Sequence, residues 1–519
     1  MVEGKSRPVW GSKLGFLLAA IGSAVGLGNI WRFSYTAFEH GGGAFLLPYF
    51  IALIVAGIPL LILEYVLGHR ERGASPLAFA RVNRKMEWVG WWMPVIALFG
   101  IMLYYSVVMG WCLNYFFFSF NLSWGPDPQS FFFESFLQLT DSPLDLGGVR
   151  LPIISATFFI WFTCWAICYR EINHGIEKAC TFFMPLLFIL TIILVGWTVT
   201  LEGAAPAIKE FYLKPDWDKI NIIKNFSDPA VWNVWGAAFG QIFFTLSLGF
   251  GIMITYASYL PRKTDLVGSA LWMSVVNCLY SFIAGFAVFG IVGFMASAKG
   301  VPFDQVIKGG PQLAFVVYPE AIRQLPFGQE LFGAIFFLVL LVAGLSSGIS
   351  LVESFTCSLM DKFSWPRKKV VSAICLLGFT GSIIFTTRGG LLILDIVDHF
   401  VTNYGLVMAG VLECFLVGWL LKVQNARAHI ARAGGKRVPF FWDICVRYVT
   451  PLLLLILIGK SVIGELASPY GGYSTDALIL YGVDWIMLTI AVAIVFTFYP
   501  WRPEKLRRHH RTSDEHLLT

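Results

Sequence analysis

Charge is scarce in this 519-residue chain: Asp, Glu, Lys and Arg together make up 13% of it, about half of the roughly 25% of an ordinary soluble domain. With so little charge it is neither a disordered tail nor a collagen-like fibre. Histidine is sparse too, with eight scattered residues of which His509 and His510 lie in the basic tail. There is no HExxH, no GxSxG elbow and no His/Cys cluster, so nothing in the sequence supports an enzyme. The nine cysteines sit almost entirely in apolar runs, and the long polar loop near 121–151 has none. They read as small buried hydrophobes rather than a disulfide framework or a metal site. A cleavable leader is not expected: Met1 to Lys13 is polar, and the apolar stretch that follows runs directly into a glycine-rich motif.

What the chain has in excess is apolar surface. It is 57% hydrophobic and 16% aromatic, with a mean hydropathy of +0.70. A soluble fold of this size could not hide so much, so a polytopic membrane protein is expected. Twelve apolar segments can be drawn, near 12–36, 43–69, 89–120, 151–169, 175–200, 231–259, 265–297, 329–360, 368–387, 394–422, 440–466 and 478–501. The net charge of +6 comes from loops between these runs, not from a basic face, so no nucleic-acid partner is expected. Basic loops (Arg70 to Lys85, Arg262–Lys263, Lys362 to Lys369, Lys422 to Arg437, Arg502 to Arg511) alternate with acidic or neutral ones. Lys and Arg concentrate on the cytoplasmic side of a membrane. Both termini are therefore expected in the cytoplasm of a cell-membrane protein, the inner or plasma membrane, surrounded by lipid.

Two segments are unusual. The first contains Gly22-Ser-Ala-Val-Gly-Leu-Gly-Asn29, the sixth Thr245-Leu-Ser-Leu-Gly-Phe-Gly251. Mid-helix glycine costs about 1 kcal/mol against alanine, and unwound backbone is tolerated at membrane depth only where it is buried in protein or lines a cavity. Glycine alone could merely permit close helix packing; that does not account for Asn29, Thr245 and Ser247. The segments are five spans apart, each first in a five-helix half, which is the pattern of an inverted-repeat transporter with its site at broken helices. Amides freed near Leu27 and Gly28, at a half-helix N-terminus, suit a carboxylate. Freed carbonyls with Asn29, Thr245 and Asn277 suit a hard cation. Asn277 and Ser281 share one helix face, as do Gln241 and Thr245.

Residues Gly22 to Phe33 (GSAVGLGNIWRF), Gly41 to Tyr49 (GGGAFLLPY) and Gln241 to Phe250 (QIFFTLSLGF) resemble the neurotransmitter:sodium symporter family, in the manner of its bacterial leucine-transporter-like members. The likeness spans essentially the whole chain. It implies an all-α membrane protein of twelve helices: a short 1–11 segment, a first repeat over 12–200, an inverted second repeat over 231–422, two further helices over 440–501, and a tail over 502–519. It implies symport of an amino acid with sodium. One sodium site falls on Ala24, Asn29, Thr245 and Asn277, with the substrate carboxylate; a second falls on Gly22, Val25, Ala343, Ser346 and Ser347. The substrate pocket falls on Ser23, Ala24, Leu27, Gly28, Ile101, Tyr105, Phe244, Ser247, Phe250, Ser347 and Leu351, with Tyr105 on the carboxylate and Phe244 as a lid. Arg32 and Asp398 match the external gate pair; Arg7 and Asp361, with Trp10 nearby, match the internal one.

Departures from the family pattern sharpen the expectation. Ser281 stands where most bacterial relatives carry glutamate, so a ring of Tyr49, Gln241, Thr245, Asn277 and Ser281 is expected to hold one chloride beside the first sodium. Gly26 replaces the aspartate of amine transporters, so the substrate brings its own acid group. Gly348 is expected to enlarge the pocket, and Ile101, Val108, Phe250 and Leu351 to wall it. A neutral amino acid fits best; taurine, a small β- or γ-amino acid, or a non-transporting sensor are the alternatives. Gly175 and Pro185 mark either a helix that unwinds or a passive kink. Glu64 is a membrane-embedded acid with a structural or proton-linked role.

Overall fold

In a computed structural model of the protein, which describes residues 9–221, 224, 229–307 and 309–506, the backbone is helices joined by loops. Only two isolated β-bridges occur among the described residues, Gly42 with Pro215 and Val149 with Thr387. Arg7 and residues 507–519 lie outside the described residues. The helical segments are α1 (Lys13–Ala24), α2 (Leu27–Glu39), α3 (Gly43–Glu71), α4 (Arg84–Ser119), α5 (Leu151–Cys168), α6 (Ile176–Thr198), α7 (Pro229–Thr245), α8 (Ile252–Ala257), α9 (Leu266–Lys299), α10 (Gln329–Phe363), α11 (Arg367–Thr386), α12 (Gly390–Leu420), α13 (Phe440–Gly472) and α14 (Thr475–Phe498). Ten of them are long and apolar enough to cross a membrane, or eleven spans if the bent pair α1–α2 counts as one.

Burial separates central from peripheral helices. In α4 and α10, 89% and 78% of the most apolar window is enclosed by protein, against 28% in α6 and in α14. Phe182, Ile192, Met487 and Leu488, all apolar and all exposed, mark outer surfaces suited to hydrocarbon. The interrupted helices are held inside: α1 packs on α6 and α10, α2 on α9, α8 on α3, and α4 along α10.

The first segment is not one helix. α1 begins with the Ser12 hydroxyl accepting from Gly15 N at 2.8 Å and stops where Val25 (φ −77°, ψ 98°) and Gly26 (φ −126°, ψ −167°) turn extended. The chain then bends by 69° into α2. Asn29 explains the stop: its Oδ1 accepts from Gly26 N at 2.9 Å, a side-chain bond that competes with helix continuation. The sixth segment likewise divides. After Thr245 the backbone is left-handed at Ser247 (φ 53°), Gly249 (φ 80°) and Gly251 (φ 70°) before α8 starts. Two of these three positions are glycine, where left-handed backbone carries no Cβ penalty.

Small residues allow α8 to lie directly on α3. A Cβ at Gly68 would sit 2.0 Å from the Ile254 carbonyl oxygen, whereas nothing lies within 4 Å of one at Gly459. Gly68→Ala must therefore push backbone apart, with a penalty at or above the ~1–3 kcal/mol of overpacking, while Gly459→Ala relieves the helix penalty of glycine. Melting curves of the purified protein in detergent are expected to show a clearly lower Tm for the first and an unchanged or higher one for the second.

Candidate functional site

The two breaks meet. Ser247 Oγ donates to Ser23 O at 3.1 Å, and Ser347, from α10, donates to Ser23 O at 3.1 Å and Gly22 O at 3.4 Å. The strained left-handed backbone of Ser247 thus places its hydroxyl on a carbonyl that the end of α1 leaves without a helical partner. The third break contact is a carboxylate: Glu64 Oε1 accepts from Gly249 N at 2.8 Å. Glu64 is wholly buried, and the amide it receives is one that unwinding frees. That gives it a structural role at the break.

On the α2 side, Asn29 Nδ2 lies 2.8 Å from Thr245 Oγ1, 2.9 Å from Asn277 Oδ1 and 2.8 Å from Ser281 Oγ. An amide nitrogen has two hydrogens for these three oxygens. Asn277 Nδ2 also donates to Thr245 Oγ1 at 3.1 Å. Asn29, Thr245, Asn277 and Ser281 are all buried, so three side-chain oxygens gather at one enclosed point, a set that suits a hard cation when Asn29 turns its own oxygen toward it. Next to it Gln241 is 1% exposed, and neither its amide nitrogen nor its oxygen has a partner among the described residues. An unpaired buried polar atom costs about 1–3 kcal/mol. Tyr49, also buried, donates its hydroxyl weakly to Cys278 Sγ at 3.4 Å.

Where a carboxylate is expected, Leu27 N donates to Tyr105 OH at a long 3.4 Å. A Cβ at Gly26 would stand 3.0 Å from both Tyr105 OH and Ser347 Oγ, and one at Gly28 would stand 2.8 Å from the Phe244 ring. These glycines admit close approach of the pocket's own side chains. Phe244 carries the Arg32 guanidinium 4.6 Å above its ring centroid, a cation–π contact. Ile101, Val108, Phe250 and Leu351 are buried. Among the residues expected for the second sodium, Ser346 Oγ donates to Ala343 O at 2.9 Å, and Met184, beside Pro185, would touch a Cβ on Gly22 at 3.2 Å. Helix α6 runs through Pro185 unbroken.

Two expectations change. Arg32 and Asp398 do not pair directly: Asp398 Oδ1 instead accepts from Tyr104 OH at 2.5 Å, so each charge is held by an aromatic of a neighbouring segment. Nor does Gly348 leave open space. A Cβ there would meet the Met102 and Met109 methyl carbons at 3.2 Å, because methionine has filled the volume.

The charges near the start of α1 are more connected than the sequence suggested. Trp10 Nε1 donates to Tyr256 O at 2.9 Å. Tyr259 OH donates to Glu353 at 3.1 Å, and Arg367 grips the same carboxylate with two bonds of 2.9 and 2.6 Å. Arg367 Nε donates in addition to Cys168 O at 2.8 Å. Gly11 N and Ser12 Oγ donate to Glu177 at 2.8 and 2.9 Å, and Asp361 accepts from Ala74 N at 2.8 Å. Glu353, Arg367, Tyr259, Tyr104 and Glu177 were not singled out in sequence. Fully buried Glu353, a charge inside an apolar helix, was the available signal. Glu413, buried with both oxygens unpartnered among the described residues, is a second acid inside an apolar helix.

Comparison with known proteins fits this geometry. A sequence model of the sodium:neurotransmitter symporter family matches residues 7–127 and 125–502. The chain is 42% identical over 489 residues to an uncharacterized sodium-dependent transporter of Methanocaldococcus jannaschii, covering 94% of this chain and 97% of that protein. It is 30% identical over 520 residues to a sodium-dependent dopamine transporter of Caenorhabditis elegans, covering 90% of this chain and 82% of that one. Broken helices, an oxygen cluster between them and a match along nearly the whole length lead to one conclusion: this multi-pass membrane protein belongs to the sodium:neurotransmitter symporter family.

Proposed function

We propose that the protein is a secondary active symporter carrying a neutral amino acid with sodium by alternating access. The observation that supports it most is the convergence of Thr245, Asn277 and Ser281 oxygens on Asn29, where α2 begins and α7 ends. The first sodium is bound by Ala24, Asn29, Thr245 and Asn277 with the substrate carboxylate; the second by Gly22, Val25, Ala343, Ser346 and Ser347. The carboxylate sits between Tyr105 OH and the amides at Leu27 and Gly28. Each sodium moving down a 100 mV potential supplies about 2.3 kcal/mol. Shared ligation couples the two solutes, since neither is well held alone.

Counting α1–α2 and α7–α8 as one span each gives twelve spans, with both termini cytoplasmic in the cell membrane. The halves 12–200 and 231–422 are inverted repeats, each opening with an interrupted helix; 440–501 adds two helices. Arg32 with Phe244, and Asp398 with Tyr104, close the outer side. Trp10, Asp361 and, by family likeness, Arg7 close the inner side. The relative named for dopamine does not suggest an amine here: Gly26 provides no acid, so the substrate supplies it.

Purified protein in liposomes with an inward sodium gradient is expected to accumulate a labelled neutral amino acid, and not with choline outside. Thr245→Ala, which takes an oxygen from the cluster, is expected to lower the apparent sodium affinity at least tenfold. Uptake equal in choline would overturn the reading.

The unpartnered Gln241 amide, with Tyr49, Thr245, Asn277 and Ser281 around it, supports a chloride there. The anion would balance sodium in a low-dielectric site where an unpaired charge is costly. Replacement of chloride by gluconate is expected to reduce wild-type uptake by tenfold or more. Ser281→Glu, which installs a fixed negative charge, is expected to be insensitive to the exchange. Uptake by the wild type that is indifferent to chloride removes the anion site.

A further inference from the structure

Gly344 and Gly348 lie one turn apart on the face of α10 that meets α4. A Cβ at Gly344 would stand 2.6 Å from Met109 Cγ and 2.9 Å from its sulfur, and one at Gly348 would stand 3.2 Å from the Met102 and Met109 methyl carbons. Both methionines have no exposed surface. Met102, Tyr105 and Met109 follow one another at i, i+3 and i+7 and so share one face of α4. The Tyr105 hydroxyl lies 3.9 Å from the same Gly344 Cβ position. It also accepts from Leu27 N. The two thioethers therefore fill the space directly behind the carboxylate cradle, against the smallest stretch of α10 and beside Ser347.

The other apolar walls are stiff. Ile101 and Val108 are β-branched, with one strongly preferred χ1 in a helix. Phe250 is aromatic, and Leu351 is fixed within α10. A packed interior has no spare volume, so a longer ligand side chain fits only where a neighbour can yield. Methionine, unbranched and with three rotatable side-chain bonds, yields most readily. We propose that Met102 and Met109 form a movable floor that sets the largest substrate side chain the site admits, so that one pocket takes neutral residues from small aliphatic to aromatic. This rests on the reading of the site as an amino-acid pocket and specifies which side chains it takes. Two methionines that merely filled space beside two glycines would have no influence on the ranking of ligands.

The test uses full-length protein in detergent and sodium chloride, with thermal shift and competition against alanine, leucine, phenylalanine and tryptophan. The wild type is expected to bind several of these. Met109→Ala, which removes most of the floor, should raise affinity for tryptophan relative to alanine at least tenfold. Met102→Ile and Met109→Ile, which keep bulk but stiffen it, should lose the aromatic ligands while retaining alanine. Gly348→Ala, which crowds the floor from α10, should shift the ranking the same way. An amino-acid response with an unchanged size ranking in all four variants removes the floor alone. A wild type that responds to no amino acid in sodium removes the transport reading and the floor together.

Discussion

Every feature of the centre follows from one constraint: backbone polar groups released from a helix deep in an apolar protein must be satisfied. Val25–Gly26 and Leu246–Gly251 release such groups in two places. Their partners come from five different segments. Glu64 takes the Gly249 amide, Ser247 and Ser347 take the carbonyls at the end of α1, Asn29 takes Gly26 N, and Tyr105 takes Leu27 N. The broken helices are thereby locked to α3, α4 and α10. The proposed site is what remains: three side-chain oxygens gathered on the Asn29 amide, and a Gln241 amide with no partner among the described residues. Under-satisfied groups in an otherwise closed network are where a mobile ion or zwitterion gains most from binding, because it takes up a cost the fold already carries.

The two ends of the proposed pocket are held by different chemistry. Toward the proposed outside, single contacts operate: one short Tyr104–Asp398 hydrogen bond and one Arg32–Phe244 stacking. Toward the proposed cytoplasm, Trp10, Tyr259, Glu353 and Arg367 link the start of α1 and the end of α8 to α5, α10 and α11. Glu177 and Asp361 add further bonds. A bidentate carboxylate–guanidinium pair is a strong, geometrically demanding contact, and separating a buried one leaves unpaired charge. Under the proposed alternating access, opening inward would thus require more concerted disruption than opening outward, which suits a carrier that admits ligand before it releases it.

Much of this was legible in the sequence. Gly, Ser and Asn in the middle of apolar runs located both breaks, since each of those residues weakens a helix for a known reason. The i, i+4 spacing of Asn277 and Ser281 placed them on one face. Partners far apart in the chain were not legible. No pattern joins Glu64 to Gly249 or Asp398 to Tyr104, because those contacts depend on how whole helices cross. Gly348 shows the limit of reasoning from size alone: a missing side chain suggested open space, yet flexible methionines from α4 had occupied it. Similarly, family likeness suggested Arg32 and Asp398 as a pair, while aromatic neighbours hold them separately.

The central claim is that the two breaks bind cation and acid as one unit. Amide hydrogen exchange of the protein in nanodiscs, read by mass spectrometry over peptides covering 24–29 and 246–251, addresses it directly. With sodium and a bound amino acid together, exchange in both segments should slow by an order of magnitude or more relative to choline, with a much smaller effect from either alone. Protection elsewhere with both breaks unchanged, or protection of one break only, would contradict it.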